Sequence, residues 1–144
     1  MKEVVPRLNK LAVEAEKSKS MTASSASVSD DLMQAFDTLC DWFESAGHLQ
    51  INGRPLRFPP EEDRLFVAGG WLERYVFNEL SALNVKPVGN LVVRNPSQNE
   101  LDAAFMHDGT FYIVECKTGN FYHDLLKAKE VVYKLETFSK VAAR

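Results

Sequence analysis

The chain has little with which to hold a soft metal or a disulfide framework. It contains two cysteines, Cys40 and Cys116, and three histidines, His48, His107 and His123, in 144 residues. None falls at the spacing of a zinc or CxxC motif, so neither a zinc centre nor a redox pair is expected. A reduced, cytoplasmic setting is the expectation that follows. No apolar run approaches the ~18 residues of a membrane helix. The N-terminus, MKEVVPRLNKLAVEAEK, lacks the apolar centre of a signal peptide, so no membrane partner is expected. Net basic charge is missing too: 17 Lys and Arg against 20 Asp and Glu leave −3. Whatever binds phosphate here must do so locally. No internal repeat is visible. What remains is ordinary for a globular domain, 45% apolar and 26% charged, and long enough to bury one core.

Val4, Leu8 and Leu11 recur at helical spacing near the start and predict a weakly amphipathic helix. The serine-rich stretch SKSMTASSASVS, Ser18 to Ser29, offers little to bury and reads as a flexible linker. The chain is therefore divided into an N-terminal helix and linker, 1–29, and a main domain, 30–144. Ser29 is a candidate helix cap, with Asp30 and Asp31 suited to the positive end of the helix it opens. Leu32, Phe36, Leu39 and Phe43 continue that helix to about Gly47. Asn52-Gly53 between two short arms predicts a hairpin in which both turn residues take positive φ. After Gly69-Gly70, an apolar stripe of Leu72, Tyr75, Val76, Leu80 and Leu83 predicts a second helix, with Glu73 at the stripe's edge. Three strands follow: Val88 to Arg94, Asn99 to Met106, and Thr110 to Lys117, the last two joined by the tight turn Asp108-Gly109. A break at Gly119-Asn120 precedes a final helix from about His123 to Val141, with Leu125, Ala128, Val132 and Leu135 as its buried face and Val131 and Phe138 flanking it. The order points to an α/β fold with a small mixed sheet flanked by helices.

The chemistry concentrates at Asp102 and at Glu115-Cys116-Lys117. Side chains alternate along a strand, so Glu115 and Lys117 project from one face, and the Asp108-Gly109 turn can bring Asp102 opposite them. Two carboxylates make a hard oxygen site suited to Mg²⁺ or Mn²⁺. A lysine beside them can orient an attacking water and offset charge building on a phosphate. An acid between Leu101 and Ala103 is costly unless paired or metal-bound.

Asp102 with Glu115-Cys-Lys117 resembles the D…ExK core of the PD-(D/E)xK nucleases, the restriction-endonuclease-like fold. Gly69-Gly-Trp-Leu-Glu73, Asn99-Glu-Leu-Asp102, Glu115-Cys-Lys-Thr-Gly119 and Tyr133-Lys-Leu-Glu136 stand in one order. As a set they resemble the nuclease domain of the CARF-linked ancillary effectors of type III CRISPR systems, over about residues 30–144. In that family a cyclic oligoadenylate sensor precedes a nuclease that cuts nucleic acid as a homodimer. The resemblance implies Asp102, Glu115 and Lys117 as catalytic residues. It implies Glu73, Asp102 and Glu115 as metal ligands, and the backbone carbonyl of Cys116 could add another. The family core normally continues into a further strand beside the ExK strand, and the fold expected here is one without that final strand. The resemblance also implies a role in antiviral defence, with a separate sensor or regulatory chain as a possible partner.

The charge is uneven: residues 116–144 carry +3 and the remainder −6. Lys117, Lys127, Lys134 and Lys140 are candidate phosphate contacts, Lys134 being favoured as site-proximal. The function expected is a metal-dependent endonuclease acting on DNA, RNA or both. The alternative is a non-catalytic nucleic-acid-binding or dimerisation module that keeps the fold.

Overall fold

A computed structural model describes residues 3–94, 98–118 and 125–142. Asn95-Pro96, Gly119-Asn120 and His123, to which the sequence assigns a strand end, a break and a helix start, lie outside the described residues. The chain divides into two compact units, Met1–Trp71 and Leu72–Arg144. The boundary expected near residue 30 falls within the first of these units.

The first unit runs α1 (Val4–Ala15), β1 (Thr22–Ser24), α2 (Asp30–Ser45), β2 (Gln50–Ile51), β3 (Pro55–Arg57) and α3 (Glu61–Leu65), then a π-turn over Phe66–Gly70. The expected first helix forms as α1 and is part of the core: Val4, Leu8, Leu11, Ala12 and Ala15 are buried with Phe36, Leu49, Leu56 and Phe58. The serine-rich stretch is not a linker. It contributes β1, which pairs antiparallel with β3 in a sheet ordered β1-β3-β2. Strand pairing uses main-chain groups, which serine supplies as well as any residue. Ala23 and Val28 anchor the segment in the core, and Ser25 Oγ donates to the Arg54 carbonyl at 2.8 Å. Ser29 does occupy the N-cap of α2 in extended conformation, but its side chain makes no capping bond. In the β2–β3 turn only Gly53 takes positive φ, +73°, rather than both residues.

The second unit holds most of α4 (Trp71–Ala82), then β4 (Val88–Arg94), β5 (Gln98–His107), β6 (Thr110–Val114) and α5 (Leu125–Ala142). The α/β class holds. The strands run antiparallel throughout, in the order β4-β5-β6, rather than in mixed directions. Asp108 and Gly109 take φ of +48° and +74°, the left-handed pair that a two-residue hairpin needs. This turn fixes the register His107↔Thr110 through Ala103↔Val114.

The two helices of this unit cover only part of their expected faces; on α4 Leu72, Val76 and Leu80 are half-buried as expected. No α4 residue is fully buried, and Tyr75 and Leu83 are 57% and 71% exposed. The reason is a close approach at Gly89 of β4: a Cβ there would lie 3.4 Å from the Phe77 ring. Seating Phe77 over Gly89 turns Tyr75, two residues away and so ~200° round the helix, outward. On α5, Leu125 and Val132 are exposed, while Phe138 is buried and Ala128, Val131 and Leu135 are half-buried. Lys134 lies three residues after Val131 and four before Phe138, which places it on this inner face.

Candidate functional site

β6 ends at Val114, three residues short of the expected strand, and Glu115 to Thr118 continue outside the ladder. Continuing the register by one rung puts Asp102 opposite Glu115. There the Asp102 carboxylate takes over from the main chain: its Oδ2 accepts the Cys116 N–H at 2.6 Å. The Glu115–Lys117 segment is thus pinned to β5 by a side chain.

The carboxylates and the lysine converge. Lys117 Nζ lies 2.7 Å from Glu115 Oε1 and 3.9 Å from Asp102 Oδ2. A second ammonium arrives from α5, where Lys134 Nζ donates to Glu115 Oε2 at 2.5 Å. Glu115 is the innermost member, its side chain 3% exposed, against 12% for Asp102, 23% for Lys134 and 43% for Lys117. Each of its two oxygens therefore faces a different cation.

The electrostatics follow from this packing. Burial alone would raise the Glu115 carboxyl, but hydrogen bonds and charge from Lys117 and Lys134 outweigh it and hold the group below the usual carboxylate range. Burial works against the Lys117 ammonium, and its bond to Glu115 with the charges of Asp102, Glu115 and Glu73 raises it nonetheless. Glu73 on α4 moves the other way: burial, then the negative charge of Asp102, raises it, with Lys117 opposing. The Cys116 thiol is pushed up to about 11, by burial first and then by the surrounding acids. It stays protonated at neutral pH and is no nucleophile.

The expected set of Glu73, Asp102, Glu115 and Lys117 is thus electrostatically one cluster, joined by Lys134. Lys127 is exposed on α5, and the Lys140 side chain lies outside the described residues. Two contributions had no reading in the sequence: the Cys116 N–H as anchor for Asp102, and Lys134 as direct partner of Glu115. The second has a signal, the i+3/i−4 spacing of Lys134 to Val131 and Phe138. The donor set, carboxylate oxygens only, fits a hard divalent cation in kind. Among the described residues, however, no three His, Cys, Asp or Glu side chains stand together as a ready metal cage. His48 is engaged elsewhere, its Nδ1 2.6 Å from Asp63 Oδ1.

The model of the Card1-like endonuclease domain matches residues 60–143, more than half of the chain. The chain belongs to the Card1-like endonuclease-domain family. The match contains Glu73, Asp102, Glu115, Lys117 and Lys134, every member of the cluster. Among solved structures, VC1899 from Vibrio cholerae matches with a TM-score of 0.65 and 24% identity, over 79% of this chain and 33% of that one. Can2 from Sulfobacillus thermosulfidooxidans, solved in complex with cyclic tetra-adenylate, matches with a TM-score of 0.60 and 22% identity, over 88% and 37%. The chain therefore spans about a third of the length of these two proteins, and the likeness is one of fold. No curated protein matches significantly.

Proposed function

We propose that this Card1-like endonuclease domain is a metal-dependent, CRISPR-associated nuclease that hydrolyses phosphodiester bonds of DNA, RNA or both. The observation that carries this reading is the convergence of Asp102 and Glu115 on the Lys117 ammonium, at 3.9 and 2.7 Å. Family membership supports the reaction class.

Asp102 and Glu115, with Glu73 and the Cys116 carbonyl as further donors, would hold Mg²⁺ or Mn²⁺. Bound there, such an ion supplies Lewis-acid polarisation of a phosphoryl oxygen and a water of lowered pKa. Lys117 is more open to solvent than Lys134, 43% against 23% exposed. Its ammonium, kept charged by three neighbouring acids, orients the attacking water and offsets charge on the phosphate. Lys127 and Lys134 of α5 receive the nucleic-acid backbone.

The same proposal includes a homodimer, a cytoplasmic setting and control by a separate sensor or regulatory chain. The exposed apolar positions Leu125, Leu126, Val132 and Tyr133 on α5 support a dimer. That Can2 was solved with cyclic tetra-adenylate supports a link between this fold and oligoadenylate signalling. A second reading, a non-catalytic module, is favoured by the lack of a ready three-group metal cage among the described residues.

Cleavage of labelled single- and double-stranded DNA and RNA, with Mg²⁺, Mn²⁺ or chelator, tests the proposal. Wild type is expected to cut only with metal, and Lys117→Ala to lose at least ~100-fold, the scale of one electrostatic stabiliser. Equal trace activity in both would leave the non-catalytic module standing.

A further inference from the structure

We propose that Lys134 is a built-in place-holder cation, which holds Glu115 in position through its Oε2 and gives way when a divalent metal binds. This rests on the metal-nuclease reading above, and explains why acids of the right chemistry form no ready cage. Glu115 is buried, and both of its oxygens are spoken for: Oε1 by Lys117 at 2.7 Å and Oε2 by Lys134 at 2.5 Å. A buried carboxylate with no partner would be costly, so the resting fold needs internal counter-charge. A divalent ion approaching Glu115 meets two ammonium charges already on that carboxylate, and withdrawal of one relieves the repulsion.

The geometry points to Lys134 as the one that leaves. Lys117 is two residues from Glu115, on the segment that the Asp102–Cys116 bond pins to β5, and it also faces Asp102. Lys134 comes from a separate element, α5, and meets the site through Glu115 Oε2. Its long, flexible stem lets the ammonium swing clear while the helix stays in place. Once released, it is a free cation beside the site, placed to pair with a substrate phosphate. Lys134 is accordingly a positioning residue with two partners in turn, Glu115 without metal and phosphate with it.

The test is calorimetry with Mn²⁺ on the full chain, comparing wild type with Lys134→Gln, Lys134→Arg and Glu115→Gln. Lys134→Gln keeps a hydrogen-bond donor for Glu115 but removes the competing charge. It is expected to bind Mn²⁺ about tenfold more tightly, the scale of one charge-assisted hydrogen bond no longer displaced. Lys134→Arg keeps the charge and is expected to stay within about twofold of wild type on the same scale. In cleavage assays Lys134→Gln is expected to raise KM for nucleic acid more than it lowers kcat, a split that mere loss of structure would not give. As a second readout, Mn²⁺ is expected to increase acetylation of Lys134 by an amine-reactive ester, followed by mass spectrometry. Unchanged Mn²⁺ affinity in Lys134→Gln, with binding weakened in Glu115→Gln, would overturn the place-holder role alone. Absence of Mn²⁺ binding by wild type would overturn the metal-nuclease reading and this inference with it.

Discussion

Asp102 has two separable duties, and replacing it by Asn or by Ala should separate them. Its Oδ2 accepts the Cys116 N–H at 2.6 Å, and its side chain is only 12% exposed. A hydrogen bond to a charged group contributes ~1.5–3 kcal/mol, and truncation to Ala leaves the amide without that acceptor. For a chain of this length a kcal/mol corresponds to roughly 3–4 °C in Tm, so Asp102→Ala should melt roughly 5–12 °C lower. Asp102→Asn still offers an oxygen to the same N–H and should lose no more than about 1 kcal/mol. Both should abolish metal-dependent cleavage, because each removes a carboxylate. Trp42 and Trp71 both lie in the other unit, so far-UV circular dichroism is the suitable melting probe. Hydrogen exchange at the Cys116 amide is more direct, and should accelerate by ~10–150-fold in Asp102→Ala if that bond limits local opening. Wild-type melting and unchanged Cys116 exchange in Asp102→Ala would refute the pinning argument, whatever happened to activity.

Three further outcomes are expected. Because Glu115 is held below the ordinary carboxylate range, its pairing stabilises the fold above that range, and the contribution is lost as pH falls through the lowered native value. Glu115→Gln should therefore flatten the acid limb of a plot of unfolding free energy against pH. Glu73 has the opposite sign: its raised native value costs stability as pH rises through the window above the ordinary one, so Glu73→Gln should stabilise the chain at neutral pH in denaturant titrations. Leu8→Ala, at a position 0% exposed in α1, should cost ~2–5 kcal/mol, read from tryptophan fluorescence of the first unit; a neutral result would refute the core role of α1.

The contrast between what the sequence disclosed and what it hid has a physical pattern. β4 and the Asp108-Gly109 hairpin were legible because β-branched runs and left-handed turn residues are local signals. Asp102, Glu115 and Lys117 were legible because the turn and the pleat bring them near one another. β1 was hidden because its pairing is made by backbone groups that composition does not report. The exposure of Tyr75 on α4 was hidden because it depends on one tertiary fit, Phe77 against Gly89. Lys134 was expected at the phosphate, and its contact with Glu115 depends on how α5 is rolled, again a tertiary matter.

The two-residue turn at Asp108-Gly109 also sets a rule of length for the family chemistry. Five rungs, from His107↔Thr110 to Ala103↔Val114, separate it from the level of Asp102 and Glu115. One residue added to a single arm would slip the register and send one carboxylate to the opposite face of the sheet. One added to each arm would keep the two acids level and merely lift the turn. Insertions that preserve nuclease chemistry should therefore come in matched pairs across this hairpin, so that the number of residues between the two acids changes by even steps.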